Sequence, residues 1–219
     1  MCSSFAHSNT EKKTDFNFPN VAKEVYSPEK IRAEFKSVIN QLQETQPNRP
    51  MKLDAEFSKV KSEVLEQATY PMSQLEAYRL YTRLNPLLPV GSMGVQLPEF
   101  RSKIKAAIKM GDRLFPLKVY FDNDFGLLVR TASHGIARGT VIQTINGIDV
   151  VDITKKLERR VIGVDSNIRR KEVTRCFAEY LWMHYGSAQW FEIELKEGEV
   201  YRSVKLEGSI ELPSISTTV

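Results

Sequence analysis

Several things are scarce in this chain of 219 residues, and each scarcity narrows what it does. No apolar run approaches the roughly 18 residues a membrane-spanning helix needs, so no membrane span is expected. There are two cysteines, Cys2 and Cys176, far apart in sequence and in no CxxC arrangement. With His7, His134 and His184 isolated from one another, neither zinc nor any other cofactor is implied. No glycine-rich phosphate loop occurs. Charge of one sign is also lacking: the formal net charge is +4, with lysines and arginines scattered among acids, which argues against nucleic acid as a partner. No basic segment precedes an apolar stretch at the N-terminus, so no signal peptide is read there. Met1-Cys2-Ser3-Ser4 resembles the start of a mature lipoprotein, although a chance cysteine in a polar tail is the simpler account.

What remains is an ordinary soluble composition, 42% apolar and 26% charged, arranged in two blocks. Residues 27–99 read as helical. Ser27-Pro28-Glu29 offers a cap, a first-turn proline and a first-turn acid. Ile31, Phe35, Val38, Ile39 and Leu42 then make one apolar stripe. Gln46 to Pro50 stops this helix, and a second from about Asp54 carries Phe57, Val60, Val64 and Leu65 inward. Ser73-Gln-Leu-Glu76 has the pattern of a capping box opening a third helix with Leu75, Tyr78, Leu80, Tyr81 and Leu84, which Pro86 and Pro89 should close.

Residues 100–208 are mixed. Leu114 to Phe121 reads as a strand, Asp122 to Gly126 as a turn and Leu127 to Thr131 as the partner strand. Val141 to Ile145, the Asn146-Gly147 turn and Ile148 to Val150 follow. Asp152 is placed to cap a helix over about 153–161, and a long helix is expected from Ile168 to Tyr185, started near Asp165 and Ser166 and ended by Gly186. A hairpin, Trp190 to Leu195 and Val200 to Leu206 around Lys196–Glu199, closes the block. Residues 1–26 and 209–219 have the composition of a flexible N-terminus and a tail. The expected class is α+β: a small N-terminal helical bundle, then an antiparallel β-domain with two helices.

Possible chemistry is thin. Gly91-Ser-Met-Gly94 lacks a residue of the G-x-S-x-G elbow, so Ser92 is a poor nucleophile candidate. Ser133 and His134 are adjacent, which is poor geometry for a base reaching its neighbour's hydroxyl, and a turn explains them better. Glu192 and Glu194 alternate on one strand face, where a solvated surface opposite Phe191, Ile193 and Leu195 is the simpler account of them. No catalytic residue is assigned.

The loop Gly135 to Gly139 followed by Ile142, Ile145, Asn146-Gly147 and Val150 resembles the core of a PDZ-like peptide-binding module. The order of elements around it resembles the front of a family S41 serine peptidase of the tail-specific, C-terminal processing kind. Glu44-Thr-Gln-Pro-Asn48 is similar to that family's E-x-H-P-N, with Gln46 for histidine; Phe115-Pro116-Leu117 is similar to its F-P-L-x-V; and Ile136 to Leu157 is similar to its I-P-x-G-x-x-I-x-x-I-N-G run. Val90 to Val95 departs from the family's Asp-Gly-His-Thr, and the catalytic domain with its serine and lysine is absent. The resemblance implies a PDZ-like domain over 100–208 that binds an extended peptide or a protein C-terminus, an extracytoplasmic location and a following catalytic domain as partner. Carried onto this chain, Gly111, Arg113 and Leu114 fall in a carboxylate loop and its strand, with Leu117 further along the strand, and Leu157 and Val161 line an apolar pocket. Three readings stay open: the recognition part of a peptidase, a stand-alone adaptor, and a scaffold whose groove is vestigial.

Overall fold

The computed structural model describes residues 16–17, 25–44, 55–88, 94–95, 99–124, 126–163 and 165–212. The α+β class expected from the sequence is the one observed: among the described residues, seven α-helices accompany a two-stranded and a six-stranded antiparallel sheet.

The helical part follows its apolar spacing. In α1 (Pro28–Glu44) the buried stripe is Ile31, Phe35, Ile39 and Leu42, and the Ser27 hydroxyl accepts from the Lys30 amide at 3.3 Å. Helix α2 (Ala55–Gln67) buries Phe57 and Val64. β1 (Val25–Tyr26) pairs with β2 (Met72–Ser73), which leads into α3 (Gln74–Tyr81). The capping box is formed: the Glu76 amide donates to Ser73 Oγ at 3.2 Å and the Ser73 amide to Glu76 Oε2 at 2.8 Å. Pro86 does not close this helix. The chain tightens into a 3-10 turn over Thr82–Leu87 with Pro86 inside it. Tyr81 stacks on Phe35, with ring centroids 5.1 Å apart, and its hydroxyl donates to the Ile31 carbonyl at 2.8 Å, joining α3 to α1. The E-x-H-P-N-like segment ends outside the described residues.

A helix absent from the sequence expectation, α4 (Phe100–Lys109), buries Ile104 and Ala107 and opens the second block. The strand expected from Leu114 is regular only as β3 (Val119–Asp122), paired with β4 (Gly126–Val129). Next come β5 (Val141–Ile145) and the short β6 (Ile148–Asp149), joined by Asn146 and Gly147 at φ 49° and 74°. Two successive positive φ values are what a type I′ turn requires, hence Asn-Gly. α5 (Val150–Glu158) is capped by Asp149, whose carboxylate accepts from the Val151 amide at 2.7 Å; Asp152, the expected cap, lies in the first turn. The expected long helix is two: α6 (Ser166–Arg175), capped by Asp165, and α7 (Phe177–Tyr185), ended by Gly186. β7 (Trp190–Glu197) and β8 (Val200–Glu207) complete the sheet in the order β3-β4-β5-β7-β8, with β6 paired to β5.

The buried side chains of the helical part and of the sheet form one continuous cluster. Within the terminal segments, Asn17 exchanges two backbone hydrogen bonds of 2.7 Å with Ser187, and Phe16 packs on Tyr185 and Phe191. Ser209 exchanges bonds with Leu114.

Candidate functional site

Helix α4 ends at the loop to which carboxylate capture was assigned. Gly111, at φ 107°, turns the chain out of the helix, a conformation that favours glycine. The amides that follow are already bonded within the protein: Gly111 to the Ile108 carbonyl (3.1 Å), Asp112 to Ala107 (3.0 Å), Arg113 to Ser187 Oγ (2.7 Å) and Leu114 to Ser209 (2.9 Å). Asp112 is buried, its carboxylate accepting from the Trp182 indole at 2.9 Å. The Arg113 guanidinium donates to the Gly111 and Asp112 carbonyls. In this conformation the loop has its backbone donors committed, and the guanidinium is engaged through Nη1.

The four apolar residues assigned to the groove are brought together, but in the core. Leu114 and Leu157 are fully buried, and Leu117 and Val161 are each 3% exposed. Their burial contributes roughly 1.5–3 kcal/mol apiece to stability, whatever else they do. None of the four presents a side chain to solvent here.

What lies at the sheet edge is α6. It packs on β3 and on α5, and α5 packs in turn on β4, β5 and β6. The edge strand, α6 and α5 therefore stand side by side, with α6 in the position between strand and helix. Its fastening is polar. Glu158, at the end of α5 and buried, accepts from Ser166 Oγ at 2.6 Å and from Arg170 Nε at 2.7 Å. The Arg170 guanidinium also lies 4.4 Å from the centre of the Phe121 ring on β3. Only Val173 and Thr174 of α6 are buried.

The remaining candidates separate cleanly. His134, at φ 54°, sits with Gly135 in an exposed turn closed by the Ser133–Ile136 bridge, as expected. Glu192 and Glu194 face solvent, opposite the buried Phe191, Ile193 and Leu195. Thr144 Oγ1 donates to Glu194 at 2.9 Å. Ser92, Cys2 and His7 lie outside the described residues; Gly94 nearby is packed so closely that an added Cβ would meet Ile162 at 2.1 Å. Cys176 is half-buried, and burial foremost pushes its thiol up to about 11, away from thiolate chemistry. Among the described residues no group of three or more His, Cys, Asp or Glu could hold a metal.

One polar constellation has no counterpart among the sequence candidates. Where α3, α5 and α7 meet, Arg79 Nε donates to the Met183 carbonyl and Arg160 Nη1 to the Arg79 carbonyl at 2.9 Å. Asn85 Nδ2 holds the Arg160 carbonyl at 2.8 Å. The Lys156 ammonium lies 4.0 Å from the centre of the Tyr185 ring. His184, 6% exposed, sits beside these three cations. Burial, then the charges of Arg160, Arg79 and Lys156, hold its imidazole well below the usual histidine value. Burial also brings Arg79 and Arg160 down to about 10, still charged at neutral pH. The legible part of this signal was Lys156 and Arg160, four apart in sequence; that Arg79 and His184 join them is a tertiary fact.

Set against known proteins, the chain matches no protein-family model and no curated protein sequence at a significant level.

Proposed function

We propose that this chain is a non-catalytic peptide-recognition region, resembling the front of an S41 serine peptidase, which presents extended segments to a following catalytic domain. The observation that carries this reading is the edge strand β3 standing beside α6 and α5 in an antiparallel sheet. An extended segment adds to such an edge through main-chain hydrogen bonds, with alternate side chains seated against the neighbouring helix. Strand addition is favoured over carboxylate capture at Gly111 to Leu114, because the amides there are spent internally. The reading requires α6 to move aside, so the conformation described is the closed one, and apparent affinity is reduced by the open fraction.

The closed arrangement also favours a second reading, a scaffold in which α6 permanently fills the groove. Backbone amide spectra titrated with an unstructured peptide of alternating apolar residues decide between them. Peptide binding is expected to shift the amides of residues 119–122, and Arg170→Ala to tighten it by about tenfold or more, or about 1.4 kcal/mol. No shift in either protein would sink peptide recognition and leave the scaffold.

A further inference from the structure

At the junction of α3, α5 and α7, Lys156 and Arg160 share none of the partners by which Glu158 holds α6, so the site is separate from the peptide groove. Three observations converge there. Arg160 Nε and His184 Nε2 are buried polar atoms without a hydrogen-bond partner. Neither Arg160 nor Lys156 has a carboxylate within salt-bridge distance among the described residues, whereas the neighbouring Arg83 is paired with Glu63. Lys156 is exposed and Arg160 partly exposed, so the cluster lies at the surface, with Arg160 Nε and His184 Nε2 beneath it.

Folded proteins rarely leave buried N–H donors unmade or gather cations without a counter-charge. Here the cations come from different elements and are held in place: Arg160 by the Arg79 carbonyl and Asn85, Arg79 by the Met183 carbonyl. A surface cluster of flexible lysines would not be fixed in this way. The fixed donors are complementary to a group that accepts several hydrogen bonds and carries about two negative charges. We propose that this junction is an anion site for a phosphate group, either inorganic phosphate or a phosphomonoester. Arg160 Nε–H and the ammonium of Lys156 donate as charged groups, and His184 donates from Nε2 as a neutral ring. A neutral imidazole suits this role, because a third unmatched charge would be costly between the cations. Two positive charges without acid partners match a dianion better than the single charge of a carboxylate.

The test uses inorganic phosphate on the full chain at pH 7.5, with sodium chloride holding ionic strength constant. Side-chain spectra should show saturable shifts of the Arg160 Nε–H and His184 ring signals, and the melting temperature should climb with phosphate. Arg160→Met should weaken phosphate binding by about tenfold or more, while the phosphate-free variant melts no lower than the parent, because an unmatched guanidinium has been removed. If that variant fails to fold, Lys156→Gln, at an exposed position, should still fold and bind several-fold more weakly. Binding unchanged in Lys156→Gln or Arg160→Met overturns the site, as does the same thermal rise with sodium chloride alone. Acetate matching phosphate at equal concentration overturns the assignment to a dianion. A phosphomonoester binding as tightly as free phosphate supports an open site and the ester as occupant; binding of phosphate alone assigns it to the free ion.

Discussion

Helices α6 and α7 are consecutive, are separated by Cys176 alone and have a helical pattern that runs through both, yet they belong to different parts of the energetics. Seven of the nine residues of α7 are buried, and four of these are large and apolar: Phe177, Leu181, Trp182 and Met183. Only Val173 and Thr174 of α6 are buried, and its other attachments are hydrogen bonds, an ion pair and one cation–π contact. Cys176, at φ −125° and ψ 35°, leaves helical geometry between them. The break lets each half follow its own surface: α7 enters the shared core and α6 turns along β3 and α5. An element held by apolar burial opens only with the whole molecule, whereas one held by a few half-exposed polar contacts opens locally. This difference is what makes α6, and not α7, the movable part in the proposed function.

The largest effect should come from cutting α7 out of the core. Trp182 is 2% exposed and its indole donates to the buried Asp112. Trp182→Ala removes that packing and strips Asp112 of the indole, so a loss of about 3–5 kcal/mol in urea unfolding is expected. A loss below about 1 kcal/mol would mean that α7 is no better anchored than α6. His184 should place a pH signature on the same helix. The cations facing it, Arg79 on α3 and Lys156 and Arg160 on and just after α5, add to burial in holding its folded value well below 6.5. The unfolded chain therefore takes up a proton near pH 6.5 that the folded chain refuses, and stability falls as pH drops below that value, by about 1.4 kcal/mol per unit. The loss continues until pH reaches the folded value. His184→Gln should flatten this part of the profile between pH 6.5 and 5; an unchanged slope would assign the dependence to other groups.

Local signals carried much of the fold. The α1 stripe, the Ser73–Glu76 capping box, the Asn146-Gly147 turn and the terminal hairpin each rest on contacts within a few residues, and each is found where the spacing puts it. Helix α4 was equally legible, since Phe100, Ile104, Ala107 and Ile108 form an apolar stripe, but Pro98 and Gly111 at its ends obscured so short a run. The break at Cys176 was not legible, because helical spacing continues across it and only the two different packing partners divide it. The candidate groove shows the same limit. Leu114, Leu117, Leu157 and Val161 are apolar in the right places, but a leucine in a pocket and a leucine in a core have the same spelling. That α6 lies between β3 and α5 depends on where a polar helix docks, and its one strong staple joins residues 158 and 170, which no periodicity relates.

The smallest effect, and the sharpest on the comparison, concerns that staple. Arg170→Ala leaves Glu158 with Ser166 alone and removes the contact with Phe121. A cost of about 1–3 kcal/mol is expected for a lost hydrogen bond to a charged group. On the proposed reading α6 opens without the core, so this cost should fall on its local opening and scarcely change global unfolding in urea. Cys176 sits at the joint and reports the difference. Its thiol, raised to about 11 and half-buried, should react slowly with iodoacetamide in the closed form. Opening of α6 exposes it and returns it toward the ordinary thiol range, so alkylation should be about tenfold faster or more in Arg170→Ala, with the urea midpoint nearly unchanged. Faster alkylation together with a large fall in the midpoint would mean that α6 and α7 unfold as one unit. The two helices would then be a single bent element, and a latch could not be drawn from half of it.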